Sequence, residues 1–404
     1  MSSLKYWIWL SSLDGIGVRT ANNLLDAFGT PENVYFATDK DYFGIQGITK
    51  AAINCLANKD LSKANKILAD CVQIGCRTIT LQDSEYPDRL RNIYDPPLIL
   101  YIKGIMPDID SLPVVGIVGT RKCTPYGINV AETIAYKLSE CGIVVSTGLA
   151  AGIDTAAANG ALGGGFPVIG VIGTGPDIVF PRQNRKLFSD VASQGVIISE
   201  YPPGTPGMQH HFPARNRIIS GLSVGVAVIE SPERSGALIT ASRALEQGRD
   251  VFALPGNIDA PCCVGSNKLL REGAIPFTSA EDIIDEYIDL FPDKIRLKTD
   301  ADFADITAKT SRNAMESKQI SEEINNKVID ISEAVDYIDF DKFISQLDGD
   351  GKTVVEIIGF RTVHVDEIIT KSNLEAKEVL TALTMLEIDG YVKNSSGKYY
   401  SIIV

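Results

Sequence analysis

Through the middle of the chain, short apolar runs recur without a polar face: Val114–Val118, Ile143–Ser146, Pro167–Ile172, Val196–Ser199, Val224–Ile229 and Val251–Leu254. A strand with one solvated face alternates polar and apolar positions, whereas a continuous apolar run is buried on both sides, as in a parallel sheet covered by helices. The stretches between these runs read as helices. The pattern predicts an α/β domain with an extended Rossmann-like, doubly wound, mostly parallel sheet. Two more strands, Arg77–Leu81 and Leu98–Lys103, are separated by the breakers Tyr86-Pro87 and Asp95-Pro96-Pro97 and read as a lead-in to that sheet.

The two ends carry other periods. Leu24, Leu25 and Phe28 share one face of a helix that follows Leu13-Asp14-Gly15-Ile16-Gly17, and Gly44-Ile45-Gln46-Gly47-Ile48 repeats the glycine-hydrophobic-glycine idea. Two readings stand: paired helix-hairpin-helix (SAM-like) units whose glycines admit a phosphate to a helix N-terminus, or tight turns between packed helices. Beyond Leu290 the chain turns polar, and Asp300–Ser332 has no sustained apolar face, the pattern of a linker. Helices at Thr353–Ile358, Val365–Lys371 and Leu374–Asp389, then two strands around Asn394-Ser395-Ser396-Gly397, resemble a winged helix. The expected domains are 1–75 (helical), 76–290 (Rossmann-like), 291–345 (linker) and 346–404 (winged helix).

Composition narrows the function. At 404 residues the chain exceeds one ordinary compact domain. Its early apolar run, Tyr6–Leu10, is too short for a signal peptide core or a membrane span, so a cytoplasmic location without membrane attachment is expected. The 7 cysteines lack paired CxxC spacing, which supports neither a disulfide framework nor a structural zinc site, and no metal is expected. A net charge of −13 disfavours coating DNA by bulk electrostatics, and residues 112–290 carry 13 Lys+Arg against 17 Asp+Glu. Any nucleic-acid site must therefore be a local basic patch.

In a doubly wound sheet, ligands bind beyond the carboxyl ends of the strands. The loops there are Gly119-Thr120-Arg121-Lys122, Thr147-Gly148-Leu149-Ala150-Ala151-Gly152-Ile153-Asp154 and Gly173-Thr174-Gly175, each suited to cradle phosphate through backbone amides. The GxGxxG fingerprint is absent, so a dinucleotide cofactor is disfavoured. Arg121, Lys122, Arg182, Arg185, Lys186, Arg215 and Arg217 fall after strand ends or in long connections, where their charges could converge on one rim and bind phosphate. Tyr126, Phe180, Tyr201 and Phe212 lie beside these loops as candidate stacking platforms for bases. Phe180 is favoured, with packing at a strand end as the alternative.

The motifs VGTRKCTPYG (Val118–Gly127), STGLAAGID (Ser146–Asp154), GTGPDIVFPRQNRKLF (Gly173–Phe188), SEYPPG (Ser199–Gly204), FPARNRIISGLS (Phe212–Ser223) and SGALITASRALEQGRDVFALPG (Ser235–Gly256), in this order, resemble the signature of the DprA/Smf family. The resemblance implies a protein that binds single-stranded DNA in a positive pocket, forms a homodimer through the Rossmann-like core and hands the strand to the RecA recombinase in natural transformation. It implies no cofactor and no catalysis. By position, Arg121 and Arg182 match the family's basic contacts, and Gly119 and Thr120 shape the phosphate pocket. Asn184, Arg215, Asn216 and Arg217 sit in matching motifs, and Lys122, Gly148, Gly173, Thr174, Gly175, Phe180 and Lys186 complete the expected DNA-binding set. Ala151 and Ala214 stand where many members carry arginine, a departure that would weaken phosphate binding.

Two other functions compete. One is an enzyme resembling the lysine-decarboxylase-like phosphoribohydrolases, with Glu230 and Glu233 beside Ser235-Gly236. Against it, no activated nucleophile or base accompanies them, Glu230 reads as a strand end that caps the following helix, and His210-His211 lacks a third metal ligand. The other is a nucleotide- or small-anion-binding module using the same pocket. In the winged helix, Leu374–Asp389 has Glu375, Glu378, Glu387 and Asp389 against Lys377 alone, and this charge repels phosphate. A protein-interaction or regulatory role is expected there, with weak DNA contact left open at Lys393 and Lys398.

Overall fold

The computed structural model describes residues 3–296 and 349–402, apart from 359–362, 373, 375, 389–391 and 396–398. The chain divides into two compact units, Met1–Ile306 and Thr307–Val404. Most of the expected linker, 297–345, lies outside the described residues, as do Glu375, Asp389 and Lys398.

The first unit opens with helices α1 (Leu4–Ser11), α2 (Val18–Phe28), α3 (Pro31–Phe36), α4 (Lys50–Leu56) and α5 (Ser62–Gln73). In α2 the predicted apolar face is the buried one, through Ala21, Leu24 and Leu25. Gly17 precedes the helix in extended conformation, and Gly29 ends it at positive φ. The second glycine turn packs against α2, where the Asn23 side chain donates to the Gln46 carbonyl at 2.8 Å. Trp7, Trp9 and Leu24 share a core with Leu98, Ile99 and Tyr101, so these helices rest on the lead-in strands.

The sheet is built from β1 (Arg77–Thr80), β2 (Ile99–Gly104), β3 (Val114–Val118), β4 (Val144–Thr147), β5 (Val168–Ile172), β6 (Val196–Ser199), β7 (Gly225–Val228), β8 (Asp250–Ala253) and β9 (Ile275–Pro276). Its order is β1-β2-β6-β5-β4-β3-β7-β8-β9. The β1–β2 and β2–β6 pairs are antiparallel and all others parallel. Between the strands run α6 (Asp88–Arg91), α7 (Pro125–Glu140), α8 (Ile153–Gly164), α9 (Arg185–Gln194), α10 (His211–Leu222), α11 (Gly236–Glu246) and α12 (Val264–Arg271), with α13 (Glu281–Tyr287) after β9. In β3, Val115 and Ile117 enter the core shared with α7, α8 and α13, while Val114 and Val118 enter the opposite core with α10 and α11. Side chains alternate between two faces, and both faces are covered; this is why the run carries no polar position.

The second unit has helices Gly349–Ile358, Val365–Ser372 and Ala376–Ile388 and a small antiparallel sheet with Val363–His364 and Val392–Ser395 on either side of Tyr399–Ile402. This is the element order of a winged helix. The short strand at Val363 escapes the sequence pattern because it has only 2 residues.

Candidate nucleic-acid interface

From β3 the chain winds outward through β4, β5 and β6, then returns to place β7 on the other side of β3. The carboxyl ends of β3 and β7 therefore flank a topological switch point, where loops diverge and leave a crevice. A cavity of about 560 Å³ lies there, lined by Val118–Arg121 after β3, Asp154 at the start of α8, and Arg234–Ala237 before and within α11. Phe212, Arg215 and Asn216 of α10 and Phe180 also line it.

Backbone bonds hold these loops together. The Thr120 amide donates to the Glu230 carbonyl at 2.8 Å, and the Ile153 amide donates to the Thr120 carbonyl at 3.3 Å. Gly152 has φ 85°, and a Cβ there would stand 2.5 Å from the Thr120 oxygen, so the close approach requires glycine. Ser235 precedes α11 in extended conformation without a side-chain cap, so that helix start lines the cavity with amides available to an anion.

The electrostatic floor is a buried pair. Arg215 is 3% exposed and donates to the carbonyls of Gly148, at 2.9 Å, and Val171. Burial pushes its pKa down to about 10, against the pull of Asp154, so it stays cationic at neutral pH. Burial pushes the Asp154 carboxyl up to about 6, opposed mainly by Arg215. A Cβ on Gly148 would sit 2.5 Å from both Arg215 Nη2 and Asp154 Oδ2. Gly148 is therefore needed to make room for the pair.

At the mouth, the Arg121 guanidinium lies over the Phe212 ring, 5.1 Å from its centroid, and Phe212 packs on Phe180 at 5.3 Å. Phe180 is 44% exposed. Arg182 follows it by two residues in a 3-10 turn, Arg182–Asn184. Arg121, Lys122, Arg182, Arg185, Lys186 and Arg234 are exposed and make no ion pair among the described residues. Sequence reading missed Arg234; its signal was the Ser-Gly helix start that follows it.

Other expected contacts are committed to the protein itself. Arg217 is buried in an ion pair with Glu200, Nη2 to Oε1 at 2.6 Å, and with Asp95, Nε to Oδ2 at 3.2 Å. Burial works against its charge, but Glu200 and Asp95 raise its pKa overall. Asn184 is buried, and its amide donates to the Leu149 carbonyl at 3.0 Å and to Thr155 Oγ1 at 2.8 Å. Thr174 Oγ1 donates to the Ile178 carbonyl at 2.7 Å, and the Gly175 amide donates to the Thr205 carbonyl at 2.9 Å. Gly173 packs against Phe212, so all of Gly173–Gly175 is buried away from the cavity. Tyr201 stacks on His211 at 3.9 Å, while Tyr126 is 58% exposed. Asn216 lines the cavity and donates to the Gly236 carbonyl at 3.1 Å, fixing the α11 start. Gly119 and Thr120 line the cavity as expected, and Thr120 Oγ1 accepts from the Lys122 amide at 3.2 Å.

Glu230 faces elsewhere. Its carboxylate accepts from the Thr124 amide at 2.9 Å and from Thr124 Oγ1 at 2.5 Å. It therefore braces Thr124, the N-cap of α7, rather than capping the helix that follows it in sequence. Glu233 is exposed. His211 Nδ1 lies 3.1 Å from the Gly173 carbonyl, and burial lowers its pKa. The cavity wall holds cations and aromatic rings, with Asp154 held against Arg215.

A family model described as DNA recombination-mediator protein A matches residues 77–288, and a DprA winged helix domain matches residues 344–398. A DNA processing protein DprA from Bacillus subtilis (strain 168) is 41% identical over 247 residues, covering 60% of this chain and 83% of that protein. The DprA of Streptococcus pneumoniae (strain ATCC BAA-255 / R6) is 44% identical over 210 residues, covering 52% and 74%. The X-ray structure of DprA from Streptococcus pneumoniae superposes with a TM-score of 0.62 at 37% identity, covering 70% of this chain and 97% of that one.

Proposed function

The chain belongs to the DNA recombination-mediator protein A (DprA/Smf) family, and from that premise we propose that it binds single-stranded DNA, without changing it chemically, at the crevice between β3 and β7. The observation that carries this reading is the composition of the crevice mouth. Arg121 stacks on Phe212, which packs on Phe180, beside the uncapped start of α11, and the exposed cations around it make no ion pair among the described residues. Arginines and helix amides suit phosphates, whereas exposed aromatic rings suit unstacked bases, a combination fitted to a single strand. In this reading Arg121, Arg182 and Arg234 contact the backbone, with Lys122 and Lys186 extending the path. Phe180 stacks a base, and the buried Arg215–Asp154 pair sets the potential of the floor.

Delivery of the strand to a RecA recombinase, homodimerisation through the Rossmann-like domain and a part in natural transformation extend the proposal on the strength of family membership. Sedimentation of the full chain tests the second of these, a dimer being the expected species.

The test of the site is fluorescence anisotropy with a labelled oligo-dT across a salt titration. Arg121→Ala and Arg182→Ala are each expected to weaken binding about tenfold, the loss of one charge-assisted contact, and to leave the thermal transition unchanged. Affinity that ignores both substitutions, or that is equal for a mononucleotide and an oligonucleotide, would instead favour the nucleotide-binding module.

A further inference from the structure

Glu230 has a second set of neighbours that DNA binding leaves unused. The 3-10 turn Pro261–Cys263, which leads into α12, sets the Cys262 and Cys263 sulfurs 3.7 Å apart. These two sulfurs and a Glu230 carboxylate oxygen all lie within 4.8 Å of one another. Two thiolates on a tetrahedral zinc ion, each at about 2.3 Å, stand about 3.8 Å apart, so the cysteine pair already holds one edge of that tetrahedron. A zinc–oxygen bond of about 2.0–2.2 Å asks sulfurs and carboxylate to close in by about one ångström, which rotation of the Cys262 and Cys263 side chains supplies while Glu230 stays on Thr124.

The scaffold around the three ligands is fixed. The Gly265 and Ser266 amides donate to the Ser231 carbonyl at 2.7 and 3.3 Å, tying the start of α12 to the residue after Glu230. Glu230 and Cys263 are buried and Cys262 is half-buried, so the ligands are held in place while one side stays open to solvent.

We propose that Glu230, Cys262 and Cys263 bind one thiophilic divalent cation of the zinc class, with water completing the tetrahedron. Coordination forms two metal–sulfur bonds and releases the two thiol protons to solvent. The same glutamate holds Thr124 through its carboxylate and Thr120 through its carbonyl. The cation thus ties the cysteine turn to the loop that carries Arg121, coupling metal occupancy to the rigidity of the crevice.

The test is a titration of the reduced full chain with cadmium, read by the ultraviolet cadmium–thiolate charge-transfer band, followed by competition with zinc. A single saturable equivalent is expected, displaced by zinc and lost in Cys262→Ser and in the Cys262→Ser/Cys263→Ser pair. Glu230→Gln is expected to weaken cadmium binding by at least about tenfold. Cys71 and Cys76, a buried interacting pair in the helical segment, supply the control: Cys71→Ala keeps the band. No saturable equivalent, a band that survives in the folded Cys262→Ser protein, or unchanged affinity in Glu230→Gln would overturn the site. None of these readouts involves DNA, so the outcome is separate from that of the DNA-binding proposal.

Discussion

Arg215 and Arg217 stand two positions apart on α10, and their surroundings give them different work. Arg217 is locked between Glu200 and Asp95; removing it strands two carboxylates in a confined site. Arg217→Ala is expected to cost about 3–5 kcal/mol of stability, visible as a lower denaturation midpoint, whereas Arg121→Ala should change affinity alone. Asp154 makes the site pH-sensitive. Its folded-state pKa of about 6 lies above the ordinary 3.8, so the folded protein keeps a proton that the unfolded chain releases between about pH 4 and 6. The stability that Asp154 contributes is full below about pH 4 and is lost as pH rises through about 6, a difference of roughly 2–3 kcal/mol. Protonation also leaves Arg215 uncompensated beneath the crevice. DNA affinity should therefore strengthen as pH falls from 7 to about 5.5, and Asp154→Asn should remove that step from the anisotropy profile.

At the scale of elements, the crevice depends on how helix starts are satisfied. Thr124 caps α7 by accepting from the Gly127 amide at 3.0 Å, and its own amide and hydroxyl donate to Glu230. The cap therefore joins α7 to the end of β7 and braces the loop between β3 and α7. Thr124→Ala should cost about 1–2 kcal/mol in chemical denaturation and increase hydrogen exchange at the Thr120 amide, which shares Glu230. The α11 start has no such side-chain cap, which leaves its amides available to a phosphate. In the winged helix, Ala376–Ile388 exposes Leu380 and Met385, 46% and 58% accessible. An apolar exposed face on an acidic helix favours contact with protein over DNA. Lys377→Glu is accordingly expected to change oligo-dT affinity by less than about twofold.

At the scale of the molecule, a chain with a net charge of −13 binds a polyanion only where its fold concentrates cations. The exposed cations that make no ion pair among the described residues include those after β3 and β7 and on the turn before α9. Each phosphate neutralised on a single strand contributes about −0.7 to the slope of log K against log salt. A confined patch of a few cations should give a slope of roughly −2 to −3, reduced by about 0.7 in Arg121→Ala. A slope near zero in the wild type would remove phosphate contact from the account.

The fold class was legible because burial on both faces of a parallel strand leaves a direct mark in sequence: β3 and β6 were bounded to the residue, and β1, β2, β4, β5, β7 and β8 to within one. The winged helix was legible from helix periodicity and its strand pair. The expected Gly119-Thr120-Arg121 loop lines the crevice because it follows a strand whose end must face the switch point. Sequence could not separate Arg121 from Arg217, since whether a guanidinium meets solvent or two carboxylates depends on residues up to 122 positions away. It likewise grouped Gly173–Gly175 with the phosphate loops, although His211 and Phe212 cover that turn. It also assigned Glu230 to the wrong helix, because α7 lies over the end of β7 only in three dimensions. Local patterns of burial and turn chemistry thus determined the elements by themselves. The roles of individual charges were decided by the tertiary structure, because an ion's surroundings and its desolvation are set by contacts distant in sequence.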